Sequence, residues 1–163
     1  NGITTDGSTN YALFPRDISL VVNPISWSMG VYSRTNSTDN DPDCGFSTNT
    51  YVISRNVAGN FVVATPGSVA SFTFANSLGL FYLVRTNSVL LSAVHNSTIN
   101  ASVATPGSTV AASEIIIAGG AAGNGLVARN YAFAFLGATV PLTLLTDFYN
   151  AIQAFQTSLG RQV

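Results

Sequence analysis

The sequence predicts an all-β sandwich or barrel closed by one C-terminal helix, and three observations lead there. Short apolar runs recur about every ten residues, separated by clusters of Asn, Ser, Gly and Pro, the spacing of strands and turns in antiparallel β folds. Hydrophobic residues make up 47% of the 163 positions, enough for one domain with its own core. The period then changes: Leu145, Phe148, Ile152, Phe155 and Leu159 draw one apolar stripe along a helix.

Taken in order, strands are expected near Ile18–Val22, Ser26–Ser33, Thr50–Arg55, Asn60–Thr65, Val69–Phe74, Gly79–Thr86, Val89–Val94, Thr98–Val103, Glu114–Ala118 and Asn130–Gly137. The second alternates, with Trp27, Met29 and Val31 on one face and Ser26, Ser28 and Gly30 on the other. Trp27 therefore reads as core rather than as an exposed sugar-stacking platform. The runs at Glu114–Ala118 and Gly79–Val84 are continuously apolar, as expected where both faces are covered. The turn ATPGS occurs twice, at Ala64–Ser68 and Ala104–Ser108, with Pro and Gly placed for a type II turn. His95-Asn96-Ser97 reads as a hairpin tip with His95 an exposed turn residue. Gly119–Gly125 is glycine-rich but leads to a strand, so a flexible rim loop is expected rather than a phosphate cradle. The helix is expected over about 142–159. Pro141 stops the preceding strand, Thr143 is placed to cap the N-terminus, and Gly160 to end the helix. Its apolar stripe should pack on the sandwich.

Charge and chemistry narrow the function. Only 8% of residues are charged, against about 25% in ordinary soluble domains. The basic residues are six Arg with no Lys, while Asn, Ser and Thr number 15, 18 and 17. Such a surface has little long-range field, which disfavours nucleic acid and anionic membranes and suits neutral, hydrogen-bonding partners such as glycans or proteins. No run of 18 apolar residues offers a membrane span, and no basic leader marks a signal peptide. Because the first residue is Asn, the chain reads as a processed product or the C-terminal domain of a longer polypeptide. Cys44, the single cysteine, has no cationic neighbour and reads as a small buried hydrophobe.

Catalysis is not expected. Glycoside hydrolysis needs paired carboxylates, and the one Glu, Glu114, enters an apolar strand. One Cys and one His cannot make a zinc site. Two features remain as site candidates. The echo RTNS ends two strands, at Arg34–Ser37 and Arg85–Ser88. Were those strands side by side, Arg34 and Arg85 could share a ligand-binding rim; the plainer reading has them bonding loop carbonyls. Asp39, Asp41 and Asp43 alternate in one loop, part of a calcium-loop pattern whose Gly comes one residue late and whose twelfth position is Thr50 rather than Glu. A solvated loop is the favoured reading, with Ca2+ at those three residues the alternative. No other cofactor is expected.

Four segments carry a family resemblance: MGVYSRTN (Met29–Asn36), SLGLFYLVRTNS (Ser77–Ser88), EIIIAGGAAGNG (Glu114–Gly125), and RNYAFAFLG followed by LLTDFYNAIQAFQTSLGRQV. They resemble the laminin-G-like, concanavalin-A-like β-sandwich domains of bacteriophage tail, virion and prophage-encoded proteins. The likeness runs from about Tyr11 to the end and is most specific in the last 35 residues. It implies a single domain over 1–163, a jelly-roll of two antiparallel sheets with a terminal helix. It also implies a non-enzymatic module at a virion surface or outside the cell, binding host-surface carbohydrate. The alternative is a decoration or fibre-assembly protein that binds other virion proteins, with a trimer as the oligomer to look for. Glycan hydrolysis stands third.

Overall fold

The computed structural model describes residues 3–7, 12–14, 22–23, 25–46, 50–65, 68–104, 115–118 and 127–163. Their strands are β1 (Ile3–Thr4), β2 (Ala12–Phe14), β3 (Trp27–Ser33), β4 (Cys44–Phe46), β5 (Thr50–Ile53), β6 (Asn60–Thr65), β7 (Ser68–Thr73), β8 (Gly79–Arg85), β9 (Leu90–His95), β10 (Thr98–Ala104), β11 (Ile115–Ile117) and β12 (Asn130–Gly137). A 3₁₀ turn at Leu142–Leu144 leads into the helix α1, Leu145–Ser158. The strands form two sheets, ordered β1-β12-β3-β8-β9-β10 and β2-β11-β4-β5-β6-β7. Every pairing is antiparallel. The chain is a two-sheet antiparallel sandwich with one C-terminal helix.

Alternation decides what lies between the layers. Trp27, Met29 and Val31 of β3 point into the sandwich with Phe81 and Leu83, meeting Phe46, Val52, Phe61 and Val63 of the second sheet. Trp27 is fully buried and packs edge-on against Phe46 at 5.1 Å. The opposite face of the first sheet carries Tyr32, Leu80, Tyr82 and Val84, covered by Leu145 and Ile152 of α1. The molecule is thus three layers: sheet, sheet, helix. Both faces of β8 are covered, which is why its run is continuously apolar.

A β-bulge in β12 divides its side chains between these layers. The register shifts between Tyr131 and Phe133, so Tyr131 belongs to the inter-sheet core while Ala132, Phe133 and Phe135 face the helix. Strict alternation would have put Tyr131 and Phe133 on one side; the extra residue lets each go to its own layer.

The helix departs from expectation at both ends. Thr143 is not its cap: Leu144 precedes α1 and no side chain caps it. The buried stripe holds Leu145 and Ile152 but then drifts to Gln156, which is 0% exposed, while Phe155 and Leu159 are 47% and 48% exposed. A straight helix turning about 100° per residue drifts by about 20° per heptad relative to a 3, 4, 3, 4 pattern. Gly160 does end the helix, at φ +64°. The Gly160 and Arg161 amides donate to Thr157 and Gln156 carbonyls, closing a Schellman motif.

Three strands escaped the sequence reading. β1 and β2 are two and three residues long. β4 lies where the acidic loop was expected to continue. The strand read near Ile18–Val22 falls mostly outside the described residues, and Val22 itself is buried outside any strand. Also outside are Pro66-Gly67, 105–108, Glu114 and 119–126, which hold both ATPGS turns and the glycine-rich loop.

Candidate functional site

One end of the sandwich gathers the β3–β4, β5–β6, β7–β8 and β9–β10 connections. Its foundation is buried. Asp43, just before β4, pairs with Arg129, just before β12, and both side chains are 0% exposed. All five guanidinium N–H groups have acceptors. Nε donates to Ser37 Oγ at 3.0 Å, one terminal nitrogen to Asp43 Oδ1 and to Ser54 Oγ (2.7 Å), and the other to the carbonyls of Ser37 (3.1 Å) and Arg55 (2.9 Å). Asp43 Oδ1 also accepts from the Tyr131 hydroxyl at 2.5 Å, and Oδ2 from the Ser54 amide at 2.5 Å. Burial, the largest single influence, lowers the Arg129 pKa, but Asp43, Tyr131 and Asp39 together outweigh it and the net shift is upward. Burial, then Asp43, pushes the Tyr131 hydroxyl well up. A buried ion pair is stable only when its remaining donors and acceptors are filled, and here they are.

On this base the loops are pinned by amides. Asn36 Oδ1 accepts from the Ser77 amide (3.2 Å) and from Arg55, and Asn40 Oδ1 from the Val57 amide (3.3 Å). Asn56 Oδ1 takes the Ala58 and Asn60 amides at 3.0 and 2.9 Å. Asn76 and Asn96 take the Leu78 and Leu80 amides, each at 3.0 Å. Ser77 Oγ stitches β7–β8 to β3–β4, donating to the carbonyls of Thr35 and Ser37. Asn36 and Asn40 are exposed, and Asn56, Asn76 and Asn96 are half-buried. Because each Oδ1 faces a backbone N–H, which can only donate, the amide orientation is chemically fixed. Each Nδ2 is left on the outer side, with no hydrogen-bond partner among the described residues.

His95 belongs to this rim but is not the exposed turn residue expected. It ends β9, stacks on Phe81 at 4.4 Å, meets Phe74 edge-on at 4.5 Å, and bonds the Leu78 carbonyl through Nε2 at 3.0 Å. The turn residue is Asn96, at φ +56°. It sits against Gly79 at φ +104°, where a Cβ would lie 2.5 Å from Asn96 Oδ1. Burial lowers the His95 pKa, opposed in part by the Leu78 carbonyl. The unfolded chain therefore takes up a proton near the ordinary histidine pKa of about 6.5 before the folded chain does. Stability is full above that pH and falls on acidification through it. Melting temperatures at pH 7.5 and 5.5 should show this loss in the wild type and a smaller one in His95→Gln; equal losses would refute it.

The arginines of the RTNS echo are not brought together. β3 and β8 are neighbours, but Trp27 pairs with Arg85 and Ser33 with Gly79, so two strands that end alike end at opposite poles. Arg34 and Arg85 are separated by roughly seven residues of strand, about 23 Å. Arg34 lies at the asparagine rim. Arg85 is 3% exposed at the far end, and one terminal nitrogen donates to the Ser88 carbonyl at 3.0 Å. Of the calcium candidates, Asp43 is committed to Arg129. Asp39 and Asp41 stay together on the rim, with the Asp41 amide donating to Asp39 Oδ1 at 3.1 Å. Partial burial and then Asp39 raise the Asp41 pKa. No group of three metal-ligating side chains forms among the described residues. Cys44 points into the core, its thiol pushed well up by burial and then by Asp43. No helix among the described residues is long and apolar enough to cross a membrane.

Comparison with known proteins adds little. No protein-family model matches the sequence, and no curated protein matches it. Among solved structures the chain is similar to domain 4 of AbnA, a GH43 extracellular arabinanase from Geobacillus stearothermophilus, in complex with arabinotriose. Identity is 13% and the TM-score 0.46, over 76% of this chain; the chain spans 65% of that domain's length.

Proposed function

We propose that this chain is a non-catalytic β-sandwich module that binds carbohydrate at its asparagine rim. We place it at the surface of a bacteriophage particle, in the tail or fibre apparatus, where it attaches the particle to host glycan. The observation that carries the binding role is the set of five outward amide nitrogens, on Asn36, Asn40, Asn56, Asn76 and Asn96, each oriented by a backbone amide at the end of the sandwich that also holds the buried ion pair. Neutral sugars are recognised by fixed, uncharged hydrogen-bond groups of this kind, because the binding energy is not lost in ordering them. The virion setting rests on the resemblance carried by Met29–Asn36, Ser77–Ser88 and the last 35 residues. The non-catalytic reading is supported by the three acids of the β3–β4 connection, with Asp43 neutralised inside and Asp39 and Asp41 side by side on one loop.

The test is a glycan array probed with the intact chain. Binding to neutral glycans is expected; no signal above background would overturn the reading. The second reading, a decoration or fibre-assembly protein, is favoured by the exposed Leu144, Phe155, Leu159 and Val163 along the terminal helix and tail. Light scattering that shows a stable trimer, with no sugar changing the melting temperature, would decide for it.

A further inference from the structure

Resting on the carbohydrate reading, we infer that the rim selects glycans bearing acyl carbonyls, as N-acetyl or O-acetyl groups, over sugars that offer hydroxyls alone. The argument is one of donor and acceptor balance. All five asparagines spend Oδ1 on donors of the protein itself, Asn36, Asn40 and Asn96 on a neighbouring loop or strand and Asn56 and Asn76 within their own turns. None can turn over to present its oxygen without orphaning a backbone N–H. What faces a ligand is therefore NH2, a donor. At the other end of the sandwich, among the described residues, only Asn23 and Asn87 are held this way. The rim spans the ends of β3, β8, β9 and β10, three strand spacings or about 14 Å, the reach of a short oligosaccharide.

A donor-rich surface wants an acceptor-rich ligand. A sugar hydroxyl can accept from Nδ2, but its own proton then needs an acceptor; the asparagine oxygens are already occupied, which leaves that proton to Asp39, Asp41 or solvent. A carbonyl accepts without donating, so an O-acetyl group meets these amides with no proton left over, and an N-acetyl group adds the same pure acceptor while its N–H takes the place of the hydroxyl proton. Carboxylates and sulfates are also pure acceptors, but Asp39 and Asp41 share the rim with Arg34 and Arg55, so its charges offset one another and give an anion no net pull. The neutral acyl carbonyl remains. At a partly solvated rim one net hydrogen bond contributes about 1 kcal/mol, so the expected discrimination is about fivefold.

Calorimetric titration of the intact chain with triacetylchitotriose and with cellotriose compares two neutral trimers that differ mainly in acetamido groups. The acetylated sugar should bind about fivefold more tightly. The triple variant Asn36→Asp, Asn40→Asp, Asn76→Asp keeps each inward oxygen and replaces each outward donor. It should lose the preference with the melting temperature changed by no more than about 3 °C. Equal affinity for the two sugars, or a preference that survives in the triple variant, overturns this inference and leaves the carbohydrate reading standing. Binding to neither sugar, with an array blank for all neutral glycans, removes both. Signal confined to anionic glycans also refutes it.

Discussion

Replacing Arg129 with Met is expected to cost about 3–5 kcal/mol and to lower the melting temperature by about 10 °C. The substitution fills much of the same volume, so the loss measures the charge left behind. Asp43 would remain 0% exposed with its ion partner gone, keeping only the Tyr131 hydroxyl and the Ser54 amide. Asp43→Asn strands the opposite charge and should cost a similar amount. The double variant should recover part of either loss, because two well-packed neutral groups avoid the desolvation of both ions. A cycle of denaturant melts on the four proteins measures the coupling. A single-variant loss under about 1 kcal/mol would mean the network contributes little. The same variants should open the rim locally: the guanidinium ties Ser37, Asp43, Ser54 and Arg55 together, so amide exchange should quicken first around 35–43 and 54–57.

None of that network could be read from local pattern. Asp43 and Arg129 are 86 residues apart in sequence, and periodicity carries no information about contacts at that range. The aspartate was read with its loop because Asp, Pro and Gly surround it; yet Cys44–Phe46 is a strand, three residues long, supported from both sides by β5 and β11. Long elements were legible for the opposite reason. Trp27–Ser33 and Asn60–Thr65 carry their own alternation, and Gly160 stops the helix by a local backbone requirement. The RTNS echo shows the limit in between. Identical ends suggested neighbouring strands, which they are, but sequence does not give relative direction, and antiparallel pairing sends Arg34 and Arg85 to opposite poles. The asparagines were visible as composition. Their grouping at one rim, and the inward turn of every oxygen, needed the loops in place.

Gly30→Ala is expected to cost about 2–3 kcal/mol, although it adds one methyl group to a strand. Gly30 lies between Tyr82 on β8 and Phe135 on β12 in register. Those two rings approach to 5.9 Å, and Phe148 of α1 packs on them at 5.7 and 5.2 Å. A Cβ at position 30 would point toward this trio and overlap Tyr82 Cβ and the Phe81 carbonyl oxygen, with Tyr82 Cα 2.8 Å away. Two of those three are backbone atoms, so no rotamer change relieves the clash, and β3 must move away from β8 under the helix. Thermal melts give the size of the loss, and protease sensitivity of the terminal helix shows where it falls; a change under about 0.5 kcal/mol would refute it. Adding Tyr82→Ala should not rescue the variant, because alanine keeps the Cβ that collides. Rescue would mean instead that the ring, and not the spacing of the strands, demands glycine at this position.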